Sequence, residues 1–334
     1  MIDVIKERLL EDPVKIQELL EKYDYHHINI RPTYISFGRS EDSSPKSLVI
    51  FLKENPHLIA KDYARNLTLD IFNLIIREKK ETFKNVIQAA KQIVGIDDNY
   101  APEEKYKPFA GFYHLIKNRI RQEIKIYDEG ILNKYKPVGN LRFLRDGIGI
   151  ESQQFFNIGY DVESQSITIP IYDEFGNLIG VKCRRNCDGC EQKYWFDVPC
   201  QESMTLYGFS QNYQYLEGDT VFIFEAEKSV MQCHTMGYNN AVALGSSSIS
   251  KKQCQMILSL NPEKVVFMMD KGLEIENIRR NIIALKTYGK MKEFTIQFWK
   301  PGDDVPSKAS PSDLGKNRFE KALREELIEF EESN

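Results

Sequence analysis

No stretch of these 334 residues approaches the roughly 18 consecutive apolar side chains that cross a bilayer, which excludes a membrane-spanning helix. The first fifteen residues, MIDVIKERLLEDPVK, alternate charged and apolar residues and do not show a signal-peptide pattern. A cytoplasmic location is the expectation. Overall basicity is absent: 45 Lys and Arg face 49 Asp and Glu, a net charge of -4, so any polyanion must be held locally. The chain has no G-x-x-x-x-G-K-[ST] loop and therefore no P-loop motor. No cysteine precedes Cys183, and His26, His27 and His57 do not reproduce a C-x-x-C spacing, so the first half lacks the ligands of a zinc site.

What is present is ordinary globular composition, 42% hydrophobic and 28% charged, at a length that suits two or three domains. Charge is unevenly spread. His26 to Ile96 holds 11 Lys/Arg against 7 Asp/Glu, a local +4, whereas Asp313 to Asn334 holds 4 against 7, a local -3. The first region is the one a polyanion prefers.

Apolar Ile5, Leu9, Leu10, Ile16, Leu19 and Leu20 suit one helix, or two broken near Pro13. HHINIRPTYISFGRSEDSSPKSLVIFLKENPHLIAKDYARN reads as a small sheet with a long exposed loop at GRSEDSSPKS. TLDIFNLIIREKKETFKNVIQAAKQIVGI reads as two helices, the first opening on Thr68 or its neighbour and the second near Thr82. From Asp97 to about Lys136 the charged, helix-periodic sequence looks like a connector. LRFLRDGIGIESQQFFNIGYD suggests a short helix between turns, and SITIPIYDEFGNLIGVKCRR two alternating strands forming a hairpin across DEFGN. VFIFEAE, NNAVAL, KVVFMMD and EFTIQFW then alternate with helices, the pattern of a parallel α/β sheet.

Glu225 and Asp270 each follow an apolar strand run, and Asp303, Asp304 and Asp313 follow the last one. Carboxyl ends of parallel strands share one edge, so these acids can converge on a hard cation such as Mg²⁺ or Mn²⁺ and serve phosphate chemistry. Singly, each acid is as readily a turn former or helix cap.

Taken in order, RFLRDGIGIESQQFFNIGYD, SITIPIYDEFGNLIGVKCRR, KYWFDVPCQESMTLYG, AEKSV, NNAVALGSSSIS, VVFMMDKG and SPSDLG resemble the catalytic core of bacterial DnaG-type primases over roughly Leu141 to Lys321. The last of these segments resemble the Toprim fold shared by primases, topoisomerases and some nucleases. YARNLTLDIF and ETFKNV resemble the end of the primase zinc-ribbon domain, with Arg65, Asn66 and Leu67 standing where that family has its second cysteine pair. The resemblance implies a ribbon that has lost its metal and kept its shape. Two departures concern the acids: Asp270 is followed by Lys271 and Gly272 where Toprim proteins carry DxD, and the late motif reads KASPSD. They leave Asp303, Asp304 and Asp313 to substitute.

The expected fold is α+β and multi-domain: a degenerate zinc-ribbon-like DNA-binding domain over 1–97, a helical linker over 98–137, the small mixed N-terminal subdomain of a primase core over 138–216, and over 217–334 a Rossmann-like, mainly parallel Toprim α/β domain with a C-terminal helix. The resemblance implies synthesis of short RNA primers from nucleoside triphosphates on single-stranded DNA. Glu225, Asp270 and Asp313 would be catalytic, and Glu225, Asp270, Asp304 and Asp313 would hold Mg²⁺ or Mn²⁺. Arg184, Lys193, Arg142, Arg145 and Lys228 would contact template or substrate, with Arg184 and Lys193 expected to be exposed. A separate replicative helicase would be a partner, and the degenerate ribbon suggests a phage or mobile-element version working in a host cytoplasm. A Toprim-type nuclease and a non-catalytic primase-like DNA-binding protein are the alternatives. Cys183, Cys187, Cys190 and Cys200 either close a four-thiolate Zn²⁺ site or are incidental thiols.

Overall fold

The computed structural model describes residues 2–331 apart from 54, 56, 66, 97–123, 188–192 and 290–292. The chain divides into two compact units, Met1–Ile124 and Lys125–Asn334. In the first, Pro13 ends one helix by starting another: α1 spans Ile2–Glu11 and α2 spans Pro13–Lys22. Asp12 accepts a hydrogen bond from the Val14 amide, and the proline occupies the first turn, where no amide is needed. Strands β1 (His26–Ile30), β2 (Tyr34–Gly38), β3 (Leu48–Phe51), β4 (Ile59–Asp62) and β5 (Leu67–Asp70) form an antiparallel meander in sequence order. The GRSEDSSPKS segment is the β2–β3 connection.

Helix α3 (Ile71–Lys79) opens later than the Thr68 hydroxyl suggested. Thr68 is instead a ladder residue of β5, opposite Lys61, and Asp70 caps the helix by accepting from the Asn73 amide at 2.6 Å. Thr82 caps α4 (Phe83–Val94), as its sequence position indicated. Lys6 of α1 lies fully buried against Asp70, Nζ to Oδ2 2.7 Å. Around the β4–β5 turn, Arg39 pairs with Asp62 and, at 2.8 Å, with Glu78, and Glu78 also pairs with Arg65.

The second unit opens with a 3₁₀ turn, Glu129–Lys134, and then two short helices where one was expected, α5 (Leu141–Arg145) and α6 (Ile150–Phe155). Gly147, at φ +78°, makes the break. Strands β6 (Gly159–Asp161), β7 (Ser166–Tyr172), β8 (Leu178–Arg185) and β9 (Tyr194–Val198) pair antiparallel in that order. The hairpin is as expected, but β7 is buried at all seven residues, so the predicted alternation in exposure is absent. Both sheet faces are covered: Ile167 and Ile169 join the core built on Phe143, Phe156 and Phe224, whereas Tyr172 packs with Tyr135, Leu178 and Val198.

The rest is α/β: α7 (Phe209–Leu216), β10 (Thr220–Phe224), α8 (Glu227–Met236), β11 (Ala241–Ala243), α9 (Lys251–Ser259), β12 (Lys264–Phe267), α10 (Ile275–Tyr288), β13 (Thr295–Trp299), a 3₁₀ turn at Pro311–Leu314, α11 (Lys316–Glu325) and β14 (Leu327–Glu329). The sheet order is β11-β10-β12-β13-β14, parallel except for β14. Continuous apolar runs make β10 and β12 central strands, because helices on both faces leave no wet side. Because β11 lies on one side of β10 and β12 on the other, the chain reverses direction at β10, the kind of place where open α/β sheets hold ligands. Among the described residues no helix is long and apolar enough to cross a membrane.

Candidate active site at the carboxyl edge of the parallel sheet

Strands β10 and β12 are neighbours, with Ile223 opposite Phe267, so the residues that leave them emerge side by side. Glu225 directly follows β10, and Asp270 follows two residues after the Met268 amide makes the last bond to Ile223 O, 2.8 Å. Both carboxylates are half-buried. Burial pushes Asp270 up to about 6, reinforced by the charges of Glu225 and Asp313 and opposed by Lys228. Burial also raises Glu225.

Asp313, from the 3₁₀ turn before α11, completes this electrostatic group but differs in its bonding. Burial alone would raise its pKa, yet Lys228, whose Nζ lies 2.5 Å from Oδ1, holds it below the usual carboxylate range with help from the Ser310 amide and Gln232. Asp304 is exposed and pairs with Arg318 at 3.5 Å. Asp303 is also exposed, and its backbone carbonyl, with those of Gly302 and Val305, accepts from Lys271 Nζ. Lys271, which follows Asp270 directly, therefore fastens the 302–305 loop. Among the described residues no three Asp, Glu, His or Cys side chains form a ready-made metal cage.

The basic candidates fall into two kinds. Lys193 and Arg145 are exposed. Arg184 is not, contrary to expectation: its side chain is 12% exposed, its Nη1 lies 2.5 Å from Asp146 Oδ2, and its guanidinium sits over the rings of Phe143 and Tyr194. The cause is the cover over this face of β8, where α5 and β9 supply those partners. Arg142 is half-buried on α5.

Sequence reasoning missed a second charged group. Lys182 Nζ bonds Glu202 Oε1 at 2.7 Å and Glu227 Oε1 at 2.8 Å, and lies over Tyr194 and Phe196. Desolvation would lower Lys182, but the two carboxylates outweigh it and raise it; burial and Glu227 push Glu202 up to about 7. Gly245, after β11, has φ +75°, which favours glycine, and a Cβ there would press on the Glu202 side chain, 2.9 Å from Oε1 and 3.1 Å from its Cβ. The available signal was the period-2 spacing of Lys182 and Arg184 on β8, matched across the ladder by Phe196 and Tyr194.

Cys183 lies buried on the opposite face of β8, its thiol raised by burial and hydrogen-bonded to Ser166. Cys200 is half-buried and pushed up to about 12, mainly by burial. Cys187 is disulfide-bonded, and Cys190 lies outside the described residues.

No protein-family model matches the chain. The SPbeta prophage-derived uncharacterized protein YorJ of Bacillus subtilis (strain 168) is 27% identical over 298 residues, 77% of this chain and 79% of that one. Among solved structures, the zinc-binding and RNA polymerase domains of the Aquifex aeolicus primase match 98% of this chain and 86% of theirs, with 14% identity and a TM-score of 0.50. A DnaG primase catalytic domain solved bound to single-stranded DNA matches 60% of this chain and 77% of its own, with 18% identity and a TM-score of 0.48. The fold is primase-like, a mixed α+β arrangement of several sheets.

Proposed function

We propose that this chain is a DNA primase, joining nucleoside triphosphates into short RNA primers on a single-stranded DNA template. The observation that carries the reading is the emergence of two half-buried acids, Glu225 and Asp270, from adjacent parallel strands at the carboxyl edge of a primase-like fold. The α/β region of 217–334 is read as a Toprim domain and the first unit as a ribbon-like domain without its metal. The prophage-derived relative favours a phage or mobile-element origin, with a helicase supplied as a separate chain.

The donor set suits a hard divalent cation. Glu225 and Asp270 offer carboxylate oxygens that have no hydrogen-bond partner among the described residues, and Asp270 is raised in part by the charge of Glu225. They would hold Mg²⁺ or Mn²⁺, which when bound supplies positive charge for phosphate oxygens and lowers the pKa of an attacking hydroxyl. Arg184, fixed by Asp146 and two rings, presents a rigid guanidinium fork to phosphate, and exposed Lys193 and Arg145 add mobile charges along the template. Arg142 stands on the same short helix as Arg145. Lys228 lies beside the acids, where a triphosphate would be held.

Primer synthesis and DNA cleavage measured side by side, with Mn²⁺ and all four NTPs, test the reading. Template-dependent RNA products that vanish in Glu225→Gln are expected. Cleavage without synthesis would make the chain a nuclease, and DNA binding with neither activity would leave a non-catalytic binder.

A further inference from the structure

Of the three carboxylates at the sheet edge, two are open and one is engaged. Glu225 and Asp270 have no side-chain bonds among the described residues. Asp313 uses both oxygens. Its Oδ1 takes Lys228 Nζ at 2.5 Å and Gln232 Nε2 at 3.1 Å, and its Oδ2 takes the Ser310 amide at 3.0 Å and the Ser310 hydroxyl at 3.3 Å. Gln232 is itself fixed, accepting from Ser312 Oγ at 2.8 Å and donating to Asp146 O at 2.6 Å. Recruiting Asp313 to a metal would mean breaking a charge-assisted bond inside this network.

We propose that Lys228, by holding Asp313, confines the edge to one divalent cation bound by Glu225 and Asp270, and is itself the fixed positive charge in the place of a second ion. The inference rests on the reading of the edge as a cation site. Lys228 is the second residue of α8, three residues after Glu225, so the junction between β10 and α8 delivers an acid and a compensating ammonium together. A second divalent ion beside Asp313 would meet that ammonium at close range, and like charges on half-buried groups are poorly screened. The ammonium, unlike a metal, also stays in place under chelation.

Titration of the full-length protein with Mn²⁺ alone, read by the loss of the free-ion electron paramagnetic resonance signal, tests this without any nucleotide. One Mn²⁺ per chain is expected. Glu225→Gln and Asp270→Asn should each weaken binding at least about tenfold, whereas Asp313→Asn, which leaves the Lys228 charge uncompensated but removes no ligand, should weaken it clearly less than either. Lys228→Met frees Asp313 and should either add a second ion or tighten the first by about tenfold. Two ions in the parent, no binding at all, or a loss in Asp313→Asn equal to that in Glu225→Gln overturns the inference. So does an unchanged titration in a Lys228→Met protein that melts like the parent; if that variant does not fold, Asp313→Asn decides. Primer synthesis on the same samples separates the two readings. One ion with no synthesis defeats the primase assignment alone, and synthesis with two ions defeats only the single-ion site.

Discussion

Asp270 carries a charge in a place that opposes it, and this gives a test independent of any activity. Its folded-state pKa is raised from an ordinary 3.8 to about 6, so the folded chain binds this proton more tightly than the unfolded one. The sign is opposite to that of a salt-bridged acid: stability falls as pH rises from 3.8 towards 6, and the cost then persists. In metal-free buffer Asp270→Asn should therefore melt above the parent at pH 8, by on the order of 1 kcal/mol once partial exposure is allowed for. That gain should shrink to nothing by pH 4. A gap that does not change with pH would remove the carboxylate's charge as its cause. Glu225 and Asp270 were legible as candidates because an acid recurs at the ends of two apolar runs, although one acid at a strand end is by itself an ordinary turn former or cap. Lys182, Glu202 and Glu227 were not legible as a group. Lys182 finds its partners 20 and 45 residues away, and only the folded sheets bring them together.

Lys6 makes the corresponding point for whole elements. The apolar stripe of α1 and α2 was readable, but nothing in the pattern singled out Lys6, which is fully buried on Asp70, the residue that also caps α3. One carboxylate thus joins the first helix to the end of β5 and the start of α3. Lys6→Met should cost about 3–5 kcal/mol, because it leaves Asp70 buried and uncompensated. Adding Asp70→Asn, which retains an N-cap oxygen, should recover a substantial part of that loss in denaturant melts. A double variant no more stable than Lys6→Met would show that Lys6 matters through its packing on Phe72 instead. Elements were missed where they were short or paired far away. Strand β14 is three residues with little burial, and β5 carries a threonine that resembles a helix cap until its ladder partner is known. Strands β10 and β12, only five and four residues long, were still read correctly because burial on both faces leaves a continuous apolar signature.

For the molecule as a whole, a net charge of -4 means that a nucleic acid, if held as proposed, is gripped at a few points and not by diffuse attraction. The salt dependence of single-stranded DNA binding counts those points. Lys193 and Arg184 should each contribute one, so that replacing either with alanine flattens the log–log slope by about 0.7. Their costs to the fold should differ. Lys193 is exposed, and its removal should change stability by less than about 0.5 kcal/mol. Arg184→Ala strips Asp146 of its partner and Phe143 and Tyr194 of a stacked cation, at a cost of about 1–3 kcal/mol. Melting and salt titrations on the same two variants therefore separate a residue that only grips DNA from one that grips DNA and holds β8 to α5. An unchanged slope for Lys193→Ala would move the template path away from β9. An unchanged slope for Arg184→Ala, with the loss of stability intact, would confine that arginine to its ion pair and leave the grip to the exposed lysine and arginine beside it.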